Sequence, residues 1–421
     1  MVHGGAVRYT VSMRHKLYMN HAYSIRSIFS LLVIGAVLTS LVVPHAAFAK
    51  TTDLEVSGWI PYWRDTQGIK DAKKHLSALD AVYPFVFTVT STGNLKDQSG
   101  LDKSAWKSFI KTAQKKNVDI IPTIMWSDTT AMETVLNNPT LRTQHIKAIA
   151  DMVKDGKYDG IDIDYEGKNS ATKDGFSAFL KELKAALGKK TLVCTIEPRT
   201  PPDSLYTEIP ATINYVNDYA VIGTYCDQIT VMAYDQQRAD IKLNAARKGA
   251  PYVPVADVDW VEKVLKLTLQ SLPKEKVVLG IPTYGHHYAV TVAPDWYRDY
   301  WKVGALNVPD ILDLAKEQKV KPSRNSAGEM GFSYIPKSSV LASYSKTLSI
   351  PKKTPTGEVA AAKALAYANK TGKEATFNVV SYSDAGAMKD KIDLAKDLGL
   401  RGVALFKIDG EEDQKVWTYL Q

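Results

Sequence analysis

The chain has 421 residues, of which 45% are hydrophobic and 23% charged, enough for one large domain or two smaller ones. Its 53 Lys and Arg against 45 Asp and Glu give a net charge of +8, but residues 1–49 hold four basic and no acidic residues, so the remainder carries +4. This modest excess suits an anionic cell wall. A nucleic-acid partner is not expected, because the charge is small and the sequence has no basic tract with interleaved aromatic residues.

Residues 1–49 have the pattern of a secretory signal peptide. Basic residues precede an apolar run at 28–43, and Ala47-Phe48-Ala49 provides a small-residue cleavage site. The alternative is an uncleaved membrane anchor, but the 16 residues before Pro44 fall short of the ~20 that span a bilayer. We therefore predict cleavage after Ala49, no stable membrane anchor afterwards, and a secreted or cell-wall location.

Short β-branched runs alternate with amphipathic helical segments along the rest of the chain, which favours a parallel sheet. Eight such runs occur, at residues 56–63, 81–88, 119–126, 160–166, 192–199, 228–235, 277–284 and 402–408. Eight strand–helix units predict an α/β fold, the (β/α)8 TIM barrel. In such barrels the active site lies at the carboxyl ends of the strands.

The fourth run, residues 159–166, reads Asp-Gly-Ile-Asp-Ile-Asp-Tyr-Glu. Side chains alternate across a strand, so Asp162, Asp164 and Glu166 share one face. Acids this close repel one another, and at least one is expected to keep a proton near neutral pH and so to serve as a general acid. A calcium loop is the alternative, but its closing Glu would fall on Lys173.

This run resembles the Asp-x-x-Asp-x-Asp-x-Glu signature of glycoside hydrolase family 18, the chitinase family. Residues 227–235 are similar to the family's Gln-x-x-x-Met-x-Tyr-Asp strand, and residues 280–285 to its Gly-x-Pro-x-Tyr-Gly strand. The three motifs follow the family's order, and the resemblance extends from about Val56 to the C-terminus.

The resemblance implies a role for each matching residue. Glu166 would be the general acid/base, and the substrate's own 2-acetamido oxygen would be the nucleophile. Asp164 would orient the acetamido nitrogen, Asp162 would share charge or a proton with Asp164, and Tyr234 would bind the attacking carbonyl oxygen. Asp235 would bind the sugar in the −1 subsite. The mechanism that the resemblance implies requires no metal and no organic cofactor.

Further residues are candidates for the substrate cleft. Trp126, Trp63 and Phe87 lie near predicted strand ends. Core packing is the better explanation of any one of them alone, but as a group at strand ends they indicate a sugar-stacking cleft. The family motifs add Tyr284 and Met232. Phe406 occupies the position where the family commonly has a Trp that floors the −1 subsite, and its smaller ring puts the strength of that stacking in question.

About 115 residues separate Tyr284 from Gly402, far more than one helix needs. Residues 377–384 resemble the last strand of the α+β insertion domain of many family members, and residues 309–318 are helix-like. We therefore predict an insertion domain at 286–384, with the barrel formed by 50–285 and 385–421.

Cys194 and Cys226 could pair in an exported protein. If Glu197 and Asp235 both end neighbouring strands, however, the two cysteines are offset by about 20 Å, which predicts two free, buried thiols. The roles of Glu197 and Arg199 stay open.

Three functions remain in competition. The first is a hydrolase of β-1,4-linked N-acetylglucosamine polysaccharides, either chitin or the glycan strands of peptidoglycan. The second is a non-catalytic lectin or inhibitor, and the third an endo-N-acetylglucosaminidase acting on glycoproteins. Non-catalytic members typically lose the acid that corresponds to Glu166, so its presence here favours an enzyme.

Overall fold

The computed structural model describes residues 54–421, and the predicted signal peptide at 1–49 lies outside the described residues. The strands are β1 (Glu55–Pro61), β2 (Ala81–Val89), β3 (Leu95–Asp97), β4 (Asp119–Ile120), β5 (Thr123–Trp126), β6 (Gly160–Tyr165), β7 (Thr191–Ile196), β8 (Gln228–Val231), β9 (Val277–Pro282), β10 (Gly285–Ala293), β11 (Trp296–Leu306), β12 (Ser323–Arg324), β13 (Met330–Tyr334), β14 (Ala375–Tyr382) and β15 (Gly402–Phe406).

The α-helices are α1 (Asp65–His75), α2 (Ser104–Gln114), α3 (Thr129–Asn137), α4 (Pro139–Asp155), α5 (Lys173–Leu187), α6 (Pro202–Leu205), α7 (Tyr219–Tyr225), α8 (Ile241–Ala246), α9 (Val258–Thr268), α10 (Val308–Glu317), α11 (Leu341–Tyr344), α12 (Val359–Thr371) and α13 (Ala385–Asp397). Within residues 54–421, no helix is both long and apolar enough to cross a membrane.

Eight parallel strands close into a barrel. Their hydrogen-bonded order is β1-β15-β9-β8-β7-β6-β5-β2, and β2 pairs again with β1 to complete the ring, while the short β4 pairs with β2 just before β5. The predicted (β/α)8 TIM barrel is confirmed. The carboxyl ends of its strands, where the acids of residues 159–166 lie, open on one side of the ring.

The alternation predicted for β6 separates its two faces. Ile161 and Ile163 join the large apolar core between the barrel wall and the helices, where they pack with Phe179 of α5. Asp162 and Asp164 point the other way, into the barrel, and both are buried. Apolar packing outside the wall therefore fixes the orientation of the carboxylates inside it.

A five-stranded antiparallel sheet, ordered β11-β10-β14-β13-β12, lies between β9 and β15 in the chain. Alternate residues of β14 pack on opposite sides, Phe377 and Val379 against the cluster that includes α12, and Val380 and Tyr382 against the cluster that includes α10. This sheet with its helices is the predicted α+β insertion. Its strands begin at Gly285 and end at Tyr382.

Cys194 and Cys226 form a disulfide with Cα atoms 6.0 Å apart, so the prediction of two free thiols is wrong. The prediction set Glu197 and Asp235 level at their strand ends. The observed register instead places Cys194 beside Ile229, only three residues from Cys226. Cys226 is the C-cap residue of α7, two residues before β8 begins, so it lies close enough to the neighbouring strand to bond Cys194.

Candidate active site

Asp162 lies in the barrel interior and is held by donors from three other strands. Trp59 Nε1 (3.0 Å) and Thr123 Oγ1 (2.7 Å) donate to its Oδ2, and Thr195 Oγ1 (2.7 Å) donates to Oδ1. Burial raises the pKa of Asp162 to about 6, and these three hydrogen bonds limit the rise. Asp162 is therefore a carboxylate with three hydrogen-bond donors and a pKa just below neutral pH.

Asp164, two residues further along β6, is buried but much less satisfied. Its Oδ1 accepts no hydrogen bond from the described residues. Burial, together with the negative charges of Glu166, Asp162 and Glu197, raises the pKa of Asp164 well above its ordinary value, and Lys168 only partly opposes this. The protonated form of Asp164 is therefore favoured more than in an exposed aspartate, and its Oδ1 can accept a hydrogen bond from a ligand.

Glu166 follows β6 at the barrel mouth, and its backbone N–H donates to Trp126 O (2.8 Å). Its side chain is half-buried. Burial and the charges of Glu197 and Asp235 raise the pKa of Glu166, while Lys168 lowers it. A partly exposed carboxyl whose pKa is raised can both donate and accept a proton at the cleft, as a general acid/base requires.

Lys168 is a site residue that the sequence analysis missed. Its side chain is only 1% exposed, and Nζ donates to Tyr165 O and lies 3.5 Å from Glu197 Oε2. Glu197 Oε1 in turn accepts from Gly167 N (3.1 Å), and its Oε2 accepts from Asn217 Nδ2 (3.0 Å). Through Gly167 and Lys168, Glu197 thus fixes the turn that directly follows Glu166. The turn needs glycine, since residue 167 has a φ of 68°.

Asp235 follows β8 and is positioned by the start of the insertion. Tyr284 Oη donates to its Oδ1 at 2.7 Å, and His286 Nε2 lies 2.6 Å from the same oxygen. Burial alone would raise the pKa of Asp235, but the hydrogen bonds and charge of His286, with Tyr284 and Lys302, lower it below its ordinary value. Asp235 is an ionised acceptor at the cleft.

Tyr234 precedes Asp235 and lies over the barrel mouth. Its ring stacks on Phe406 with centroids 5.7 Å apart and planes 17° from parallel. Burial, followed by the charges of Asp164 and Glu166, keeps the pKa of Tyr234 well above its ordinary value. The phenol is therefore neutral and can donate its proton in a hydrogen bond.

Phe406, at the end of β15, forms an aromatic floor. Its ring centroid lies 5.7 Å from that of Trp59, 6.0 Å from that of Phe85 and 6.3 Å from that of Tyr284. Trp63 packs edge-on against Phe85 at 5.7 Å and is 49% exposed, so it extends the aromatic surface outward.

Two predicted lining residues do not reach this floor. Trp126 is 1% exposed and packs in the outer core, 5.3 Å from the Tyr165 ring, because its strand pairs Trp126 with Tyr165 rather than with an acid. Phe87 is also buried in the outer core. An irregularity in β2 between Phe85 and Phe87 reverses the alternation, so Phe85 faces the barrel instead. Both assignments to the cleft are wrong. Met232 is buried in the same large core.

Two cavities flank Asp235 at the barrel mouth. One, of about 370 Å³, is bounded by Trp63, Tyr284, His286 and Phe406. The other, of about 380 Å³, is bounded by Tyr234 and by the segment after β7, including Glu197 and Arg199. Asp235 lines both cavities, and Glu197 lines the second. Among residues 54–421, no three His, Cys, Asp or Glu side chains are arranged to hold a metal ion.

Comparison with known proteins agrees with this geometry. Glycosylase YdhD of Bacillus subtilis (strain 168) is 28% identical over 235 residues, which are 55% of this chain and 51% of YdhD. The chain therefore matches about half the length of that relative.

Two solved structures share the fold. A chitinase from Chromobacterium violaceum ATCC 12472 superposes with a TM-score of 0.63 at 18% identity, over 87% of this chain and 98% of the chitinase. The spore cortex-lytic enzyme SleL of Bacillus megaterium QM B1551 gives 0.62 at 20% identity, over 87% and 73%. Residues 58–411 match the family described as Glycosyl hydrolases family 18, and the chain belongs to that family.

Proposed function

We propose that this protein hydrolyses β-1,4-linked N-acetylglucosamine glycans with retention of configuration, using the substrate's acetamido group as nucleophile. The observation that carries the proposal is the buried Oδ1 of Asp164, which accepts no hydrogen bond from residues 54–421 and lies on the strand that leads to Glu166. A polar atom of this kind is costly unless a ligand satisfies it. The N–H of a 2-acetamido group is a donor of the required kind.

The reaction then proceeds in two halves. In the first, the Glu166 carboxyl gives its proton to the glycosidic oxygen as the C1–O bond breaks, and the acetamido carbonyl oxygen forms a bond to C1. Asp164 Oδ1 accepts the acetamido N–H, Tyr234 donates to the attacking carbonyl oxygen, and the ionised Asp162 adds negative charge beneath the cationic ring. In the second half, the Glu166 carboxylate takes a proton from water, which attacks C1 and opens the oxazolinium ring.

Among the possible substrates, we favour the glycan strands of peptidoglycan, with chitin as the second candidate. The spore cortex-lytic enzyme with the same fold supports the first, and the chitinase with the same fold supports the second. The proposed export by residues 1–49, with cleavage after Ala49, would bring the enzyme to a wall polymer outside the cell. The mature charge of +4 favours an anionic wall over neutral chitin.

The test compares wild type, Glu166→Gln and the exposed control Glu275→Gln on N-acetylglucosamine oligomers and on purified peptidoglycan. The amide keeps the shape of Glu166 but cannot transfer the proton, so turnover should fall by roughly 10²–10⁴-fold or more, while the control keeps wild-type rates. Mass analysis of the new reducing ends identifies the cleaved bond. If Glu166→Gln kept more than about a tenth of the activity, Glu166 would not be the general acid, because general acid catalysis contributes roughly 10²-fold or more. An inactive wild type that binds the glycans would favour a lectin.

A further inference from the structure

Arg199 lines the second cavity, next to the candidate active site, and is held in an unusual way. Its guanidinium carbon lies 4.0 Å from the Tyr215 ring centroid and 3.6 Å from that of Tyr219. Its Nη2 donates to Asn217 O. Stacking covers the faces of a guanidinium, whereas its N–H groups lie in the plane and stay available at the edge. Arg199 is therefore pre-positioned with donors left for another partner.

The charges around Arg199 are unbalanced. Within residues 54–421, no carboxylate oxygen lies within the 4.0 Å of a salt bridge to Arg199. The two carboxylates whose charges act most on Arg199 form salt bridges with other residues. Glu197 pairs with Lys168 at 3.5 Å, and Asp218 pairs with Lys173 at 3.6 Å. A cation that is partly desolvated and lacks an anionic partner is costly on its own and is a natural receptor for a carboxylate.

The location of this cation determines which ligand can use it. Arg199 bounds the same cavity of about 380 Å³ as Tyr234 and Asp235, so a sugar unit that occupies this cavity lies beside Arg199. A chitin chain has no charge to offer there. Peptidoglycan strands carry carboxylates, either on the lactyl ether of the muramic acid unit or on the peptide attached to it.

We propose that Arg199 forms a subsite for a carboxylate carried by the sugar unit next to the cleaved bond, which selects peptidoglycan over chitin. This inference rests on the proposed glycosidase function. The edge of the guanidinium would bind the carboxylate through charge-assisted hydrogen bonds, while Tyr215 and Tyr219 hold its plane.

The test measures kcat/KM of wild type, Arg199→Gln, Arg199→Lys and the control Arg238→Gln on three substrates. These are peptidoglycan with its peptides, peptidoglycan strands stripped of peptides by an amidase, and an N-acetylglucosamine oligomer. Arg238 is a matched control, since it also packs on a tyrosine, Tyr300 at 4.6 Å, but does not bound this cavity. Thermal melting checks that each variant is folded.

Arg199→Gln should lose roughly 10–100-fold on at least one peptidoglycan substrate, the value of a hydrogen bond to a charged group, and stay within about twofold on the neutral oligomer. Arg199→Lys should recover part of the loss because it keeps the charge. A loss confined to stripped strands assigns the lactyl carboxylate, and one confined to intact strands assigns the peptide. Equal losses on all three substrates, or no loss on any, would overturn the subsite.

A binding measurement keeps this test independent of catalysis. Calorimetry with peptide-free muramic acid fragments and with their carboxyl methyl esters should show that the ester binds wild type more weakly and that Arg199→Gln no longer distinguishes the two. If wild type cleaves none of the substrates, the proposed function fails, and this comparison still decides the subsite. Equal binding of acid and ester to wild type would rule the subsite out.

Discussion

Lys168 Nζ lies 3.5 Å from Glu197 Oε2 in a pair that is buried on the lysine side and adjoins Glu166. The two partners have opposite effects on the general acid/base candidate, because Glu197 raises the pKa of Glu166 and Lys168 lowers it. The pair therefore tunes the proton affinity of Glu166 from both directions. Asp235 also raises the pKa of Glu166, and Asp162 and Glu166 both raise the pKa of Asp164.

Substitution of either partner should move the pH–rate profile in opposite directions. Glu197→Gln removes a negative charge, so the pKa of Glu166 falls and the alkaline limb of kcat/KM should move to lower pH. Lys168 Nζ lies 4.9 Å from the Phe176 ring centroid, and Lys168→Met keeps an apolar side chain there but removes the positive charge, so the limb should move to higher pH. Each shift should be roughly one pH unit, as a neighbouring charge typically produces.

The control for this pair is Lys181→Met, which changes a lysine on α5 outside the site. A shift of the alkaline limb in the same direction in Glu197→Gln and in Lys168→Met would contradict a tuning role. Loss of rate without movement of either limb would mean that the pair is only structural.

The disulfide between Cys194 and Cys226 closes a segment that contains Glu197, Arg199 and Asn217. The double variant Cys194→Ala/Cys226→Ala should lower the free energy of unfolding by roughly 2–4 kcal/mol, because the unfolded chain regains the freedom of a 32-residue loop. Denaturant titration measures this. Wild type under reducing conditions should match the variant. Equal stability of the variant and oxidised wild type would contradict the prediction.

Phe406 stacks on Tyr234 and bounds the cavity beside Asp235, so a larger ring at this position can extend into the cavity. Phe406→Trp should bind short N-acetylglucosamine oligomers a few-fold to about tenfold more tightly, the value of an added aromatic contact of about 0.5–1.5 kcal/mol. Phe406→Leu should bind them more weakly. Calorimetry with the oligomers checks both. Weaker binding by Phe406→Trp would show that the cavity has no room for the larger ring.

The acids of the site were readable from the sequence because alternation in β6 is enforced by burial of its apolar face. Alternation alone did not decide which face of β5 turns inward, and the observed register, which pairs Met125 with Asp164 and Trp126 with Tyr165, places Trp126 on the outer face. His286 carried a signal as well. It lies two residues after Tyr284, and both contact Asp235.

Other features depend on three-dimensional register and were not readable. The irregularity that turns Phe85 inward and Phe87 outward leaves no mark in an all-apolar run. The stagger between β7 and β8 decides whether Cys194 and Cys226 meet. Lys168 is a single charged residue in a turn, and only the folded chain reveals that Glu197 covers it.

The most direct test of substrate-assisted catalysis is NMR observation of the first anomer released from an N-acetylglucosamine oligomer or peptidoglycan strand. Attack at C1 by the acetamido oxygen and then by water inverts the anomeric carbon twice, so the account predicts the β anomer as first product. A substrate without the N-acetyl group at the −1 position should resist cleavage. Release of the α anomer, or rapid hydrolysis of a fully deacetylated polymer, would contradict the mechanism even if Glu166 were essential.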